Sequence, residues 1–247
     1  MKKYLVIGNP IKHSLSPKLH NYWLKKNNIE AIYEKQKLNE DEIESLISKV
    51  KEKKISGINV TVPFKKVVIP YLDQLSFEAE STQSVNTIYL YNDRVVGHNT
   101  DISGFELGIQ SSKFKIKGKK ILILGAGGVV PSIIFALNKM NVSRVTISNR
   151  TKDKAESLKG FFNNLTVVDW GEVPEFDMII NATSVGLNKD DQINLDFTKI
   201  GKDKFFYDVI YNPKETNFLK IGKKMGNETE NGKLMFIYQA FTAFKVW

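Results

Sequence analysis

KKILILGAGGVVPS, residues 119–132, decides the fold: a short apolar run, Ile121–Leu124, is followed at once by Gly125, Gly127 and Gly128 and then by a helical pattern over 128–140. Glycines between a buried strand and a helix let the backbone approach a pyrophosphate, whose charge the helix N-terminus then stabilises. Val130 occupies the third fingerprint position, where a glycine is more usual, and a tight turn with no ligand could use the same residues. Some twenty residues past the first glycine, an NAD-binding domain carries an acid for the ribose hydroxyls. Here the next strand, Arg144–Ser148, runs into Asn149, Arg150 and Thr151, with Lys154 one helical turn on. A guanidinium pairs with a 2′-phosphate where a carboxylate would repel it, so these residues favour NADP over NAD; a plain surface arginine is the alternative.

The same alternation extends in both directions and predicts an α/β protein with parallel sheet. Upstream lie a strand at Tyr4–Ile7, a helix opened by Ser16 as N-cap with Pro17 behind it, an amphipathic helix over 40–53, a strand over 58–62 and a helix over 74–83. Strands over 85–91 and 94–97 are joined by the hairpin turn Asn92-Asp93. Downstream come a helix over 152–162, strands at Asp177–Asn181 and Phe205–Ile210, and a closing helix over 233–247 rich in aromatic residues.

The chain has 247 residues, 42% hydrophobic and 26% charged, enough for one large or two modest domains. Its formal charge of +9 comes almost wholly from lysine, since Arg94, Arg144 and Arg150 are the only arginines. The lysines are dispersed among acidic residues, which describes a solvated surface or an anionic small molecule better than a nucleic-acid partner. There is no cysteine, hence no disulfide or thiolate, and His13, His20 and His98 lack metal-ligand spacing, so no metal is expected. Neither a signal-peptide core nor an apolar run of membrane-spanning length is present, and a cytoplasmic enzyme or binding protein is the expectation.

Four polar clusters precede the glycine turn. KHSLSP offers Ser14 and Ser16 at a helix start, suited to a carboxylate. In INVTVPFK, Ile58, Val60 and Val62 face one side and Asn59 and Thr61 the other, and Pro63 ends the strand so that Lys65 stands beyond its tip. SVNT and GHNTD add Asn86, Asn99, Thr100 and Asp101. Each has an ordinary reading as a cap, turn or solvated side chain. Together they make a site with hydroxyl-binding groups, a lysine and a carboxylate.

These stretches, with SVNTI, GHNTDISGF, GAGG, NRTKDKAESL, NATSVGL, YDVIYNP and GKLMFIYQAFTAF, run in an order that resembles the shikimate dehydrogenase family nearly end to end. The resemblance implies reversible NADPH-dependent reduction of 3-dehydroshikimate to shikimate in the pathway to aromatic amino acids. It implies two α/β domains around a cleft: a substrate domain, 1–101 plus 233–247, and a Rossmann-like NADP-binding domain, 102–232. It assigns the substrate carboxylate to Ser14 and Ser16, and ring hydroxyls to Thr61, Lys65, Asn86 and Asp101, and Asn59, Tyr211 and Gln239 are expected as further substrate-binding residues. Lys65, paired with Asp101, becomes the acid/base group, and Lys66 is left as a surface charge. Cofactor contacts fall on Gly125, Ala126, Gly127, Gly128, Val129, Asn149, Arg150, Thr151, Lys154, Thr183, Val209 and Gly232. Three places depart from the pattern: Leu234 for a second glycine, Gln83-Ser84 for Gly-Ala, and the bulkier Val129-Val130-Pro131. A quinate/shikimate dehydrogenase paralogue and a non-catalytic NADP-binding regulatory protein of the same fold are the rival readings. The partners implied are small molecules, with no nucleic acid or membrane, acting on a monomer or homodimer.

Overall fold

A computed structural model describes residues 1–162 and 164–247. The chain divides into two compact units, Met1–Ser103 with Gln239–Trp247, and Gly104–Tyr238. The expected boundaries lay at 101/102 and 232/233. The units instead divide within two continuous helices, Asp101–Gln110 and Lys233–Val246. The early turns of the last helix belong to the second unit, where Phe236 stacks on Tyr211 with centroids 4.5 Å apart. Its end belongs to the first, where Trp247 stacks on Tyr4 at 4.8 Å.

In the first unit β1 (Lys2–Gly8), α1 (Ser16–Lys26), β2 (Ala31–Lys37), α2 (Ile43–Lys51), β3 (Gly57–Val60), β4 (Gln74–Leu75), α3 (Phe77–Thr82), β5 (Thr87–Tyr91) and β6 (Arg94–His98) lead into α4 (Asp101–Gln110). The sheet order is β2-β1-β3-β5-β6-β4. β1 pairs parallel with β2 and β3, whereas β5 runs antiparallel to both β3 and β6, so this sheet is mixed rather than parallel. The cause is the predicted hairpin: a two-residue turn returns the chain beside itself, with Asn92 and Asp93 at φ 48° and 58° as such turns require. β1 reads as one apolar run because both its faces are covered. Leu5 and Ile7 pack with Ile43, Leu46, Ile58 and Val60, and Tyr4 and Val6 pack with Leu24, Tyr33, Phe244 and Trp247 on the other side.

Several local expectations need correction. β3 stops at Val60, and Val62, expected to share its buried face, is half exposed at 50%. Residues 74–83 are not one helix: Gln74–Leu75 pair with β6, and the Ser76 hydroxyl then accepts from Ala79 N at 3.2 Å as the cap of α3. Ser16 is the first helical residue and not the N-cap, because Leu15 already has helical angles; the Ser14 hydroxyl accepts from the Ser16 amide at 3.4 Å. The helix over 40–53 is a short 3₁₀ turn, 40–42, followed by α2.

Gln83 ends α3 at φ 46°, a left-handed position that favours glycine, the residue that the resemblance implies there. Gln83→Gly is therefore expected to stabilise the protein by about 0.5–1 kcal/mol, net of its exposed side-chain bond to the Glu80 carbonyl. A melting temperature that falls instead would show that the side-chain bond outweighs the backbone strain.

His20 supplies a second stability prediction. It is 1% exposed, stacks face to face on Tyr33 with centroids 4.2 Å apart, and neither ring nitrogen has a hydrogen-bond partner among the described residues. Burial pushes its pKa from 6.5 down to about 3. The unfolded chain therefore takes a proton near pH 6.5 that the folded chain refuses until about pH 3. Stability falls as pH drops through that window, by at most about 1.4 kcal/mol per pH unit. In thermal melts between pH 7 and 5, before most carboxylates titrate, His20→Phe is expected to flatten this loss. An unchanged slope would mean that His20 does not carry it.

The second unit contains β7 (Lys120–Leu124), α5 (Val130–Lys139), β8 (Arg144–Ser148), α6 (Lys152–Glu156), β9 (Leu165–Val168), β10 (Met178–Asn181), β11 (Phe205–Asp208), α7 (Asn217–Lys224), β12 (Glu228–Asn231) and the start of α8 (Lys233–Val246). The helix expected over 152–162 is α6 alone, continued by a 3₁₀ turn. Every pairing is parallel and the order is β12-β11-β10-β7-β8-β9, the doubly wound dinucleotide-binding order with β7 at the centre. Leu122, Leu124, Ile179, Phe206 and Phe218 form the core on one face of the sheet. The order reverses between β7 and β10, so the crevice at their carboxyl ends is where such a sheet binds ligands. Gly125 and Ala182 stand there.

Candidate active site and dinucleotide site

Lys65 and Asp101 form the heart of the site in the first unit. Their side chains, 12% and 8% exposed, are directly ion-paired through Asp101 Oδ2. The turn after β3 brings Lys65 there, and its backbone is tied to the SVNT segment by Val85 N, which donates to the Lys65 carbonyl at 2.8 Å. Asp101 opens α4, and Asn99 Oδ1 accepts from its amide at 3.1 Å, so Asn99 does the capping and leaves the Asp101 carboxylate free to face Lys65.

Asn86 holds the other carboxylate oxygen: its Nδ2 donates to Asp101 Oδ1 at 2.9 Å and to Thr100 Oγ1 at 2.9 Å, with Gln239 Oε1 at 3.4 Å. Its Oδ1 accepts from the Thr100 amide at 2.8 Å and the Thr87 hydroxyl at 3.0 Å. Lys65, Asn86, Asp101 and Gln239 are thus brought together from four separate stretches. Ser14 is half-buried and Ser16 buried at the start of α1. Thr61 is half-buried just past β3, and Lys66 is exposed.

Asn59 is held differently. Tyr33 Oη donates to its Oδ1 at 2.7 Å, and its Nδ2 donates to the Asn86 carbonyl at 3.0 Å and Thr87 Oγ1 at 3.1 Å. Both of its N–H donors are engaged inside the protein, so it orients the cluster from beneath. Burial drives the Tyr33 phenol well above its ordinary pKa, an effect that the nearby Ser16 hydroxyl opposes. Tyr33 and Thr87 were missed as parts of this network. Thr87 sits inside the SVNT motif and was readable there; Tyr33 lies on a strand that the sequence did not disclose.

In the second unit Gly125 has φ 105°, and a Cβ there would lie 2.9 Å from the Ala182 carbonyl oxygen, so glycine is required by both conformation and space. Gly127 and Gly128 are exposed and a Cβ on Gly128 would meet nothing within 4 Å, while α5 starts without a side-chain cap. An open glycine cradle before an uncapped helix N-terminus fits a pyrophosphate. Ala126 and Val129 complete that turn, half-buried. Beyond β8, Asn149 Nδ2 donates to the Thr151 carbonyl at 2.7 Å and shapes the next turn. Lys152 is neutralised by Asp169 at 2.7 Å, whereas neither Arg150 nor Lys154, both exposed, has a carboxylate within 4 Å among the described residues. Two uncommitted cations at the end of the second strand suit the 2′-phosphate of NADP. Thr183 follows β10, with Asn181 Oδ1 accepting from its hydroxyl at 2.7 Å.

Val209 and Tyr211 follow β11, and burial raises the pKa of the Tyr211 phenol. Tyr211 belongs to the second unit, unlike the other substrate-contact candidates. Gly232 packs so tightly on the Val209 carbonyl that a Cβ would collide with it, so this glycine shapes the segment that carries Val209. Leu234 is half-buried in the first turn of α8. Among the described residues no group of acidic or histidine side chains could hold a metal ion, and no helix is long and apolar enough to cross a membrane.

Comparison with known proteins gives matches over the whole chain. Residues 6–88 match the shikimate dehydrogenase substrate binding domain, and residues 108–210 match the shikimate / quinate 5-dehydrogenase family. A shikimate dehydrogenase (NADP(+)) of Pelagibacter ubique is 60% identical, with 100% of this chain and 93% of that protein covered. The crystal structure of shikimate dehydrogenase from Aquifex aeolicus superposes with TM-score 0.93 at 39% identity, covering 100% of this chain and 92% of that one. The enzyme from Thermus thermophilus, solved in complex with NADP(H) and shikimate, gives TM-score 0.92 at 31% identity over 100% of this chain and 93% of that one.

Proposed function

The chain belongs to the shikimate dehydrogenase family, and on that premise we propose that it catalyses the reversible NADPH-dependent reduction of 3-dehydroshikimate to shikimate, with Lys65 and Asp101 as the proton-handling pair. The observation that carries this reading is the buried Lys65–Asp101 ion pair, held by Asn86 and set among the hydroxyl-bearing groups of the same unit. The whole-length relatives named for the NADP-dependent enzyme support it.

Bound NADP(H) supplies or accepts the hydride. In the reducing direction a carbonyl oxygen must gain a proton as the adjoining carbon gains hydride. The Lys65 ammonium polarises that oxygen and donates the proton, then recovers one from solvent; in the oxidising direction it takes the proton back. Asp101 orients the lysine, and Asn86 orients Asp101. Ser14 and Ser16 receive the substrate carboxylate, Thr61, Asn86 and Gln239 its hydroxyls, and Tyr211 makes a further contact. Asn59 acts in this reading by fixing Asn86, Thr87 and Tyr33. The glycine cradle, Ala126 and Val129 hold the pyrophosphate, Asn149, Arg150, Thr151 and Lys154 the 2′-phosphate side, and Thr183, Val209 and Gly232 the rest of the cofactor.

The substrate-binding role belongs to the first unit and the NADP-binding role to the second. The reading also carries a cytoplasmic location and a protein working as monomer or homodimer. The relatives' names favour shikimate over quinate, and an intact Lys65–Asp101 pair is what a non-catalytic derivative would have no need to keep. Calorimetric titration tests the assignment: shikimate should bind more tightly than quinate, and NADPH more tightly than NADH. Reversed preferences in both pairs would overturn it.

A further inference from the structure

Asp208, at the end of β11, is a buried carboxylate that this mechanism does not use. It is 0% exposed, and among the described residues no cation lies within salt-bridge distance of it. Its charge is met by hydrogen bonds alone. Thr216 Oγ1 donates to Oδ2 at 2.5 Å, while the Ile210 amide at 2.9 Å and Asn181 Nδ2 at 3.1 Å donate to Oδ1. Burial raises its pKa, an effect that these three bonds oppose. An uncompensated carboxylate is a costly way to fill space that an apolar side chain could occupy.

What the carboxylate gains is a junction. Asn181 is its register partner across β10 and β11. The Asn181 Oδ1 in turn accepts from the Thr183 amide at 3.1 Å and hydroxyl at 2.7 Å, and Thr183 Oγ1 accepts from Val185 N at 3.0 Å. Ile210 lies between Val209 and Tyr211. Thr216 caps α7, accepting from Leu219 N at 3.4 Å. One side chain therefore ties together the ends of two adjacent strands beside the point where the sheet order reverses.

We propose that Asp208 is a positioning residue for the cofactor: through Asn181 it fixes Thr183, and through the Ile210 amide it fixes the Val209–Tyr211 segment, so that both are set before NADP arrives. The inference rests on the NADP reading above. Holding the contacts in place beforehand lowers the ordering cost of binding.

The test is a pair of ligand titrations, NADPH followed by its fluorescence and shikimate by calorimetry, on folded wild type, Asp208→Ala and Asp208→Asn. Asp208→Ala should raise the NADPH dissociation constant about tenfold and the shikimate constant by less than threefold, because most shikimate contacts lie in the other unit. Asp208→Asn should recover most of the NADPH affinity: its amide oxygen still accepts from Ile210 and Asn181, and its N–H can donate to a rotated Thr216 hydroxyl. A folded Asp208→Ala with wild-type NADPH affinity, or with equal losses for both ligands, overturns the proposal. Should Asp208→Ala fail to fold, Asn181→Ala cuts the link to Thr183 alone and must weaken NADPH binding in the same selective way; wild-type affinity there overturns the proposal equally. Wild type that fails to bind NADPH at all would instead defeat the NADP reading, and the inference with it.

Discussion

Lys65→Ala is expected to lower kcat by about 100- to 10,000-fold, the usual worth of a positioned general acid or base, while KM for shikimate changes only a few-fold. The split follows from geometry. In the proposed reading Ser14, Ser16, Thr61, Asn86 and Gln239 remain to hold the substrate, but no other cation pairs with Asp101 among the described residues. Removing Lys65 also leaves the Asp101 charge buried without its partner, which costs stability as well as activity. Lys65→Met, close in volume but neutral, removes only the cavity part of that loss: it should lose as much turnover as alanine and melt between alanine and wild type, because Asp101 stays unpaired. A Lys65→Ala enzyme with near wild-type turnover would show that another group handles the proton.

Arg150→Ala combined with Lys154→Ala is expected to raise KM for NADP by roughly 10- to 100-fold, the equivalent of one or two charge-assisted hydrogen bonds. KM for NAD, which has no 2′-phosphate, should change by less than threefold. The reason lies in which cations are already committed. Lys152, between them in sequence, is paired with Asp169 at 2.7 Å, and its replacement should matter little. Both Arg150 and Lys154 are exposed, so the wild-type preference for NADP should also narrow as salt is raised. Equal losses with NADP and NAD would show that these residues stabilise the turn and do not read the phosphate.

Legibility in the sequence followed burial and locality. β7, the glycine turn and α5 were plain because a strand buried on both faces reads as an unbroken apolar run and the turn chemistry is local. The strands that escaped notice, Ala31–Lys37, Leu165–Val168 and Glu228–Asn231, all lie at sheet edges. There charged residues are tolerated and little apolar pattern is imposed; β2 buries only Tyr33. The mixed pairing of the first sheet was implicit in the Asn92-Asp93 hairpin, but strand alternation with helices pointed to a parallel sheet.

In the site, Lys65, Asn86 and Asp101 were legible as a set of polar residues at strand ends, and the structure brings them into contact. What sequence could not supply were long-range partners. Asn59 was read as a substrate contact with no sign of the partners that hold it, Tyr33, Asn86 and Thr87, which are 26 to 28 residues away. The Ser16 cap went wrong for a local reason, since nothing in KHSLSP shows that Leu15 already has helical angles.

NADP-dependent dehydrogenation of shikimate is the activity in which Lys65 and Asp101 would handle the proton and the glycine cradle the cofactor. The most direct test mixes the purified protein with NADP and shikimate and follows the absorbance band of NADPH. The account predicts a steady rise that is abolished in Lys65→Ala and is much slower with NAD or quinate. No rise with shikimate and NADP, from folded protein that binds both, would contradict it.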